Sequence, residues 1–165
     1  MNKSKEYKTA SICLNGHIIS SHSEQVGSYC PFCGEKVTES CSHCGATLHG
    51  YEMNSGYTIV NRNNQKEYYC YNCGKPYPWT ERIIQSAIKL LSMDEELPIE
   101  VKELIKSSIP DLIVDTPKSP VAVTYYNKWI PKANKMIRDA LYQLLVDVVS
   151  ETVKLSLFPH LVQKR

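Results

Sequence analysis

Seven cysteines, all between positions 13 and 73, constrain this 165-residue chain more than any other feature. With His17 included, they are spaced Cys13-x3-His17-x12-Cys30-x2-Cys33-x7-Cys41-x2-Cys44-x25-Cys70-x2-Cys73. A Cys-x2-Cys turn converges two thiolates on one ion, and a glycine directly after the second cysteine relieves the tight backbone; Gly34, Gly45 and Gly74 hold that place. An odd number of cysteines leaves one thiol without a disulfide partner, and a reducing compartment disfavours the remaining bridges. Cysteines used only as small buried hydrophobes have no reason to recur at this spacing. Metal binding accounts for the pattern.

Eight donors make two tetrahedral sites, so Cys13, which lacks a cysteine partner, needs an eighth ligand. His17 follows it closely, with Gly16 permitting the turn. His22 would require a longer loop, and His43 sits inside the Cys41 to Cys44 turn, where its ring would face away. His17 is therefore preferred over both, with water or a carboxylate as a remoter alternative. The predicted ligands of two structural zinc ions are Cys13, His17, Cys30, Cys33, Cys41, Cys44, Cys70 and Cys73. Their pairing stays open among sequential, cross-braced and nested arrangements. Sequential ribbons, Cys13/His17/Cys30/Cys33 and Cys41/Cys44/Cys70/Cys73, are preferred over the cross-braced sets Cys13/His17/Cys41/Cys44 and Cys30/Cys33/Cys70/Cys73. Either way, four thiolates, or three thiolates and one imidazole, fill the shell and leave no position for water, as in structural sites.

Composition changes near Trp79: eight of the eleven tyrosines and every cysteine precede Thr80, whereas Leu, Ile and Val dominate afterwards. The fold class expected is small α+β: an N-terminal double zinc ribbon of short β-hairpins and knuckles, then an α-helical region with a long kinked helix. Residues 1–10 are expected to be a flexible N-terminus, 11–79 the two-zinc domain and 80–165 the helical domain. Residues 57–60 and 67–71 read as the strands of the second ribbon's hairpin, with turns at 54–56 and 61–65. Apolar periodicity predicts helices at 81–91, with Thr80 as N-cap, at 98–108, and at 120–157 with a kink at Pro131. Residues 111–118 read as an extended, proline-punctuated connection. The apolar stripe of the last helix suits dimerisation or partner docking as well as an internal bundle.

Charge limits the function classes. Residues 1–79 hold 7 bases against 6 acids and residues 80–165 hold 12 against 11, too balanced for phosphate contacts to be the main activity of either half. A local exception is Lys118, Lys128, Lys132, Lys135 and Arg138, five bases without an acid in 118–138, facing seven acids and two lysines in 94–115. The segments could pair with each other; an ordinary solvated helix face is preferred for the basic run, with phosphate binding as the nucleic-acid alternative. Tyr77 and Trp79 form a candidate interaction platform, although fixing the junction to the helices is the preferred role for aromatics in Pro76-Tyr77-Pro78-Trp79. The remaining ribbon tyrosines pose the same choice between core and surface. No Ser-His-Asp constellation, phosphate loop or His-Glu-x-x-His motif is found, so a non-enzymatic interaction module is expected. Its partner would be an unidentified protein or a second copy joined through the C-terminal helices. No apolar run approaches the ~20 residues of a membrane span and none follows Lys3, Lys5 and Lys8 as a signal peptide would, so no membrane partner and a cytoplasmic location are expected.

These residues resemble a bacterial family, the domain of unknown function numbered 2321. The resemblance rests on Cys13-Leu14-Asn15-Gly16-His17, the knuckles at Cys30/Cys33 and Cys41/Cys44, and Cys70-x2-Cys73-Gly74-Lys75-Pro76-Tyr77-Pro78-Trp79-Thr80-Glu81. It extends to residues 115–117 and 146–152 and so covers most of the chain. It implies a bacterial zinc-binding protein and supplies no activity.

Overall fold

Each Cys-x2-Cys-Gly stretch closes the same way. The glycine N–H donates to the carbonyl of the first cysteine at 2.8 to 2.9 Å, from Gly34, Gly45 and Gly74 in turn. Those glycines sit at φ of +72°, +76° and +71°, the left-handed region in which a Cβ would clash with the backbone. The first cysteine's own N–H then reaches Glu35, Ala46 or Lys75, and single β-bridges flank each turn at Tyr29/Lys36, Ser40/Thr47 and Tyr69/Pro76.

The computed structural model describes residues 6–54, 57–58 and 66–164. They divide into one unit ending at Arg82 and another beginning at Ile83. The first holds two antiparallel three-stranded sheets. In one, β1 (Glu6–Thr9) and β6 (Tyr57–Thr58) flank β5 (His49–Asn54), with Tyr7 opposite Glu52 and Met53 opposite Thr58. In the other, β3 (Ile18–Ser20) and β4 (Val37–Thr38) flank β2 (Ser11–Cys13), which delivers Cys13 to the end of the central strand. Beneath the ligands lies a small core of Ala10, Ile12, Leu48, Tyr77 and Trp79, to which Cys41 and Cys70 themselves contribute.

The helical unit is built on α1 (Pro78–Met93), whose first turn lies in the preceding unit, followed by α2 (Ile99–Ser108), α3 (Pro110–Ile113), α4 (Ser119–Trp129), α5 (Lys135–Leu145) and α6 (Glu151–Leu157). Ala87, Leu91, Ile105, Leu112, Ala122 and Leu141 are among the residues of its continuous apolar core. Among the described residues, no helix is long and apolar enough to cross a membrane.

The α+β class with cysteine clusters in the N-terminal region is as expected, but several local readings need correction. The long kinked helix at 120–157 is instead α4, a 3-10 turn at Ile130–Lys132, α5 and α6. Pro131 has no N–H to continue the ladder, Ala133 turns extended at ψ 160°, and Asn134 then caps a new helix by accepting from the Met136 N–H at 2.9 Å. Ser150 makes the second break by accepting from the Val153 N–H at 3.3 Å. The apolar stripe survives across these breaks, with Ala122, Tyr126, Ala133, Ile137, Leu141, Leu145 and Val149 buried inside the unit and Met136 exposed. Residues 111–113, within the 111–118 stretch read as extended, belong to α3.

In the first unit, residues 6–9 of the supposedly flexible N-terminus form β1. β6 pairs with β5 and not with 67–71, which holds only the Tyr69 bridge. The turn at 61–65 and residues 59–60 lie outside the described residues, as do Ser55 and Gly56 of the turn at 54–56. Thr80 is not an N-cap: α1 starts at Pro78, and the Thr80 hydroxyl donates to the Tyr68 carbonyl at 2.6 Å.

Candidate metal centres

The end of β2 and the loop into β3 place Cys13 and His17 opposite the first knuckle. Gly16, at φ +88°, lets that loop turn, and a Cβ there would meet Lys66 and Trp79 at 2.9 Å. The result is a group of Cys13, His17, Cys30 and Cys33; the second and third knuckles form another of Cys41, Cys44, Cys70 and Cys73. Within each group, all donor atoms lie within 4.8 Å of one another. The structure thus brings the eight residues together sequentially, not cross-braced. His22 packs against the Tyr51 ring, and His43 belongs to neither group.

The separations match a filled shell. A tetrahedron with metal–sulfur bonds of about 2.3 Å has edges of about 3.8 Å, and its mixed sulfur–nitrogen edges are about 3.6 Å. Cys13 to Cys33 and Cys41 to Cys73 measure 3.8 Å and Cys44 to Cys70 measures 3.7 Å between sulfurs, while His17 Nδ1 lies 3.5 Å from Cys13 Sγ and 3.6 Å from Cys30 Sγ. Disulfides, with sulfurs about 2.05 Å apart, are ruled out by the same distances. Both groups could hold a metal ion, and neither leaves a tetrahedral vertex open.

The surroundings favour the thiolate at Cys33 and Cys44, while burial raises the Cys13 thiol. Asn15 and Asn72, each inside a ligand turn, donate side-chain amides to Cys33 and Cys44 at 3.5 Å, and the His17 N–H donates to Cys13 Sγ at 3.3 Å. The Glu35 N–H, helped by Asn15 and His17, holds the Cys33 thiol down at about 6, and Asn72 followed by the Ala46 N–H lowers that of Cys44. Lys66 donates to the Gly16 carbonyl at 2.9 Å; burial lowers its pKa, and the Cys13 charge opposes part of that shift. Tyr77 places a buried hydroxyl without a hydrogen-bond partner against the second centre, its pKa raised first by burial and then by Cys70. Arg82 pairs with Glu35 at 2.8 Å and ties the first knuckle to the opening turn of α1.

Sequence reasoning did not single out Asn15, Lys66, Asn72 or Glu35. Asn15 and Asn72 carry a faint signal, being amides inside ligand turns, but Lys66 and Glu35 are recognisable only once the chain is folded. It also passed over His49, stacked between Tyr7 and Tyr71 at 4.0 and 3.9 Å with its Nδ1 2.8 Å from Glu67 Oε1.

Tyr77 and Trp79 are not an interaction surface. They are 2% and 1% exposed, stack at 4.8 Å, and Trp79 Nε1 donates to the Glu67 carbonyl at 2.9 Å. Exposed aromatics occur elsewhere, at Tyr29 and Phe32 on the first knuckle, 69% and 74% exposed, and at Tyr71 on the third.

Four of the five candidate nucleic-acid contacts spread over α4, the 3-10 turn and α5, and the fifth, Lys118, precedes α4. Lys128 and Lys132 lie over the Trp129 ring at 5.0 and 4.5 Å, Lys135 pairs with Asp139 at 2.5 Å, and Arg138 donates to the Pro131 carbonyl. Lys118 is exposed ahead of α4. The ion pairs recorded among the described residues of this unit are local ones, Lys106 with Glu103 and Lys135 with Asp139, not the acidic 94–115 segment with the basic run.

A model of the family described as an uncharacterised protein conserved in bacteria, domain of unknown function 2321, matches residues 6–157. No curated protein and no solved structure matches the chain.

Proposed function

The chain belongs to this bacterial family, and we propose that it is a non-enzymatic zinc protein, its two ions holding a rigid knuckle surface against another protein. The carrying observation is the pair of complete donor sets. With three thiolates and an imidazole in one group and four thiolates in the other, a bound ion has no vertex left for substrate or water. Soft thiolate donors in tetrahedral array suit zinc; iron is the competing tetrahedral ion and would colour the protein.

What the ions hold outward supports the docking role. Tyr29 and Phe32 flank Cys30 on the first knuckle, exposed on a backbone fixed at both ends, and Phe32 meets the His17 ring edge-on at 5.9 Å. Rigid exposed aromatics lose little side-chain entropy on binding and are the side chains from which interface hot spots are made. The second reading, nucleic-acid binding through the 118–138 segment, draws on the Lys128, Trp129 and Lys132 cluster, but Lys135 and Arg138 already have partners within the chain.

A photo-crosslinking residue placed at Phe32, and separately at Asn127, tests both in the native host. One polypeptide should be captured reproducibly from position 32, with yield reduced at least about tenfold by Tyr29→Ala, the scale of a lost aromatic anchor. Capture of nucleic acid from position 127, with nothing from position 32, would overturn the protein-docking reading in favour of the second.

A further inference from the structure

The helical unit contains a cavity of about 490 Å³ between the loop after α3, the start of α4 and the outer face of α6. That volume lies within the range of small-molecule pockets. Pro120, Val123 and Val153 supply apolar wall, and Asp115, Thr116, Ser119, Thr152 and Ser156 supply every polar side chain lining it.

The hydroxyl hydrogens are already committed inside the fold. Thr116 donates to Asp111 Oδ1 at 2.9 Å, Ser119 to the Val114 carbonyl at 3.0 Å and Ser156 to the Thr152 carbonyl at 3.3 Å, while Thr152 Oγ1 is 3.5 Å from Asp115 Oδ2. A hydroxyl has one hydrogen to give and two lone pairs to offer; Ser119 Oγ already accepts from the Thr116 N–H at 2.8 Å and Thr116 Oγ1 from the Lys118 N–H at 3.1 Å, so what remains for a ligand is the unused acceptor capacity. The carboxylate of Asp115 is one of them, fixed through Oδ1 by the Ser150 hydroxyl at 2.7 Å. No lysine, arginine or histidine lines the cavity.

We propose that this cavity binds a cationic hydrogen-bond donor, a primary ammonium or guanidinium group on an apolar stem, with the cation at Asp115 and the stem against Val123 and Val153. Such a group is offered equally by a small free amine and by a lysine or arginine side chain of another protein. Neither source depends on the metal centres, so this proposal can fail or hold separately from the docking role of the knuckles.

The test is amide NMR of the metal-loaded full chain titrated with n-butylammonium, n-butylguanidinium, N-acetyl-arginine methylamide and the neutral isostere n-butylurea. At least one cation should give saturable shifts confined to residues 114–123 and 150–157, with affinity at least about tenfold above the urea, as expected for a charge-assisted bond. Asp115→Asn should lower that affinity at least about tenfold. Because Asp115 also anchors Ser150, a second variant, Ser156→Phe, fills the cavity from an exposed position and should abolish binding with the fold intact. Tighter binding of the blocked arginine assigns the site to a partner's side chain, and tighter binding of the simple amines assigns it to a free ligand; both support the proposal. Absence of saturable shifts with every cation up to on the order of 10 mM, equal binding of the urea, or unchanged binding in Ser156→Phe would overturn it.

Discussion

Chelating the metal from the full chain should unfold the N-terminal unit and leave the helical unit standing. Among the described residues, the ribbon core holds five buried apolar side chains besides cysteine, namely Ala10, Ile12, Leu48, Tyr77 and Trp79, too little apolar area to offset the ordering of about seventy residues. Structural zinc contributes on the order of 10 kcal/mol per site, comparable with the whole stability of an ordinary domain. Among the described residues, the helical unit contains no clustered group of metal donors, and its core should keep its amide protection. Hydrogen exchange before and after chelation separates the two: protection should vanish across residues 11–54 and 66–77 and persist in 101–145. Unchanged protection in the first segment after complete metal removal would show that the unit folds on its own apolar contacts.

Replacing Asp94 with alanine should destabilise the helical unit by about 3–5 kcal/mol, the cost of leaving several buried donors unpaired. Asp94 is 1% exposed. Its Oδ1 accepts from the Glu96 and Leu97 N–H groups at 3.0 and 2.7 Å, its Oδ2 accepts from Asn134 N–H at 2.7 Å, and Lys102 donates to its carbonyl at 2.7 Å. One carboxylate thereby joins the end of α1 to the start of α5. Asp94→Asn keeps a single carbonyl acceptor and should lose about half as much.

The pH dependence carries a sign. Burial pushes the Asp94 carboxyl up, but the Leu97, Asn134 and Glu96 N–H groups and the Lys102 charge outweigh it and leave the carboxyl below the ordinary aspartate range. A folded value below the unfolded one gives stabilisation that is complete above about pH 4 and is lost as pH falls through the folded value. Melting of the helical unit between pH 7 and pH 3 should fall more steeply in the native chain than in Asp94→Asn. Parallel curves would show that the carboxylate contributes little.

The metal donors were readable in the sequence because a knuckle is a local object: two cysteines and a glycine within five residues fix both the turn and the direction of the thiolates. His17 was readable for the same reason, with Gly16 beside it. Pairing was favoured in the sequential sense that the structure shows, but not fixed, because the choice between sequential and cross-braced sets depends on which knuckles the fold brings together, and the β1 to β5 pairing joins residues forty or more positions apart. The apolar stripe of the last forty residues was legible, but not its division into α4, α5 and α6. Periodicity continues through Asn134 and Ser150, and only their side chains, turned back onto backbone N–H groups, end one helix and begin the next. Asp94 lies in a run of three acids, Asp94-Glu95-Glu96, that reads as a helix start or a surface run; its carboxylate is instead buried and bonded to a backbone N–H forty residues away. Tyr77 and Trp79 are buried in the ribbon core and not displayed, while the exposed aromatic pair on the first knuckle had no distinguishing pattern.

Metal stoichiometry by native mass spectrometry on protein purified under reducing conditions tests the central claim most directly. The intact chain should carry two ions, His17→Ala one weakened and one firm, and Cys70→Ser only the ion held with His17, because the two donor groups share no residue. Zinc should account for both masses. A chain carrying no metal with all seven thiols free, or one losing both ions together on a single ligand change in the first group, would contradict two independent closed centres.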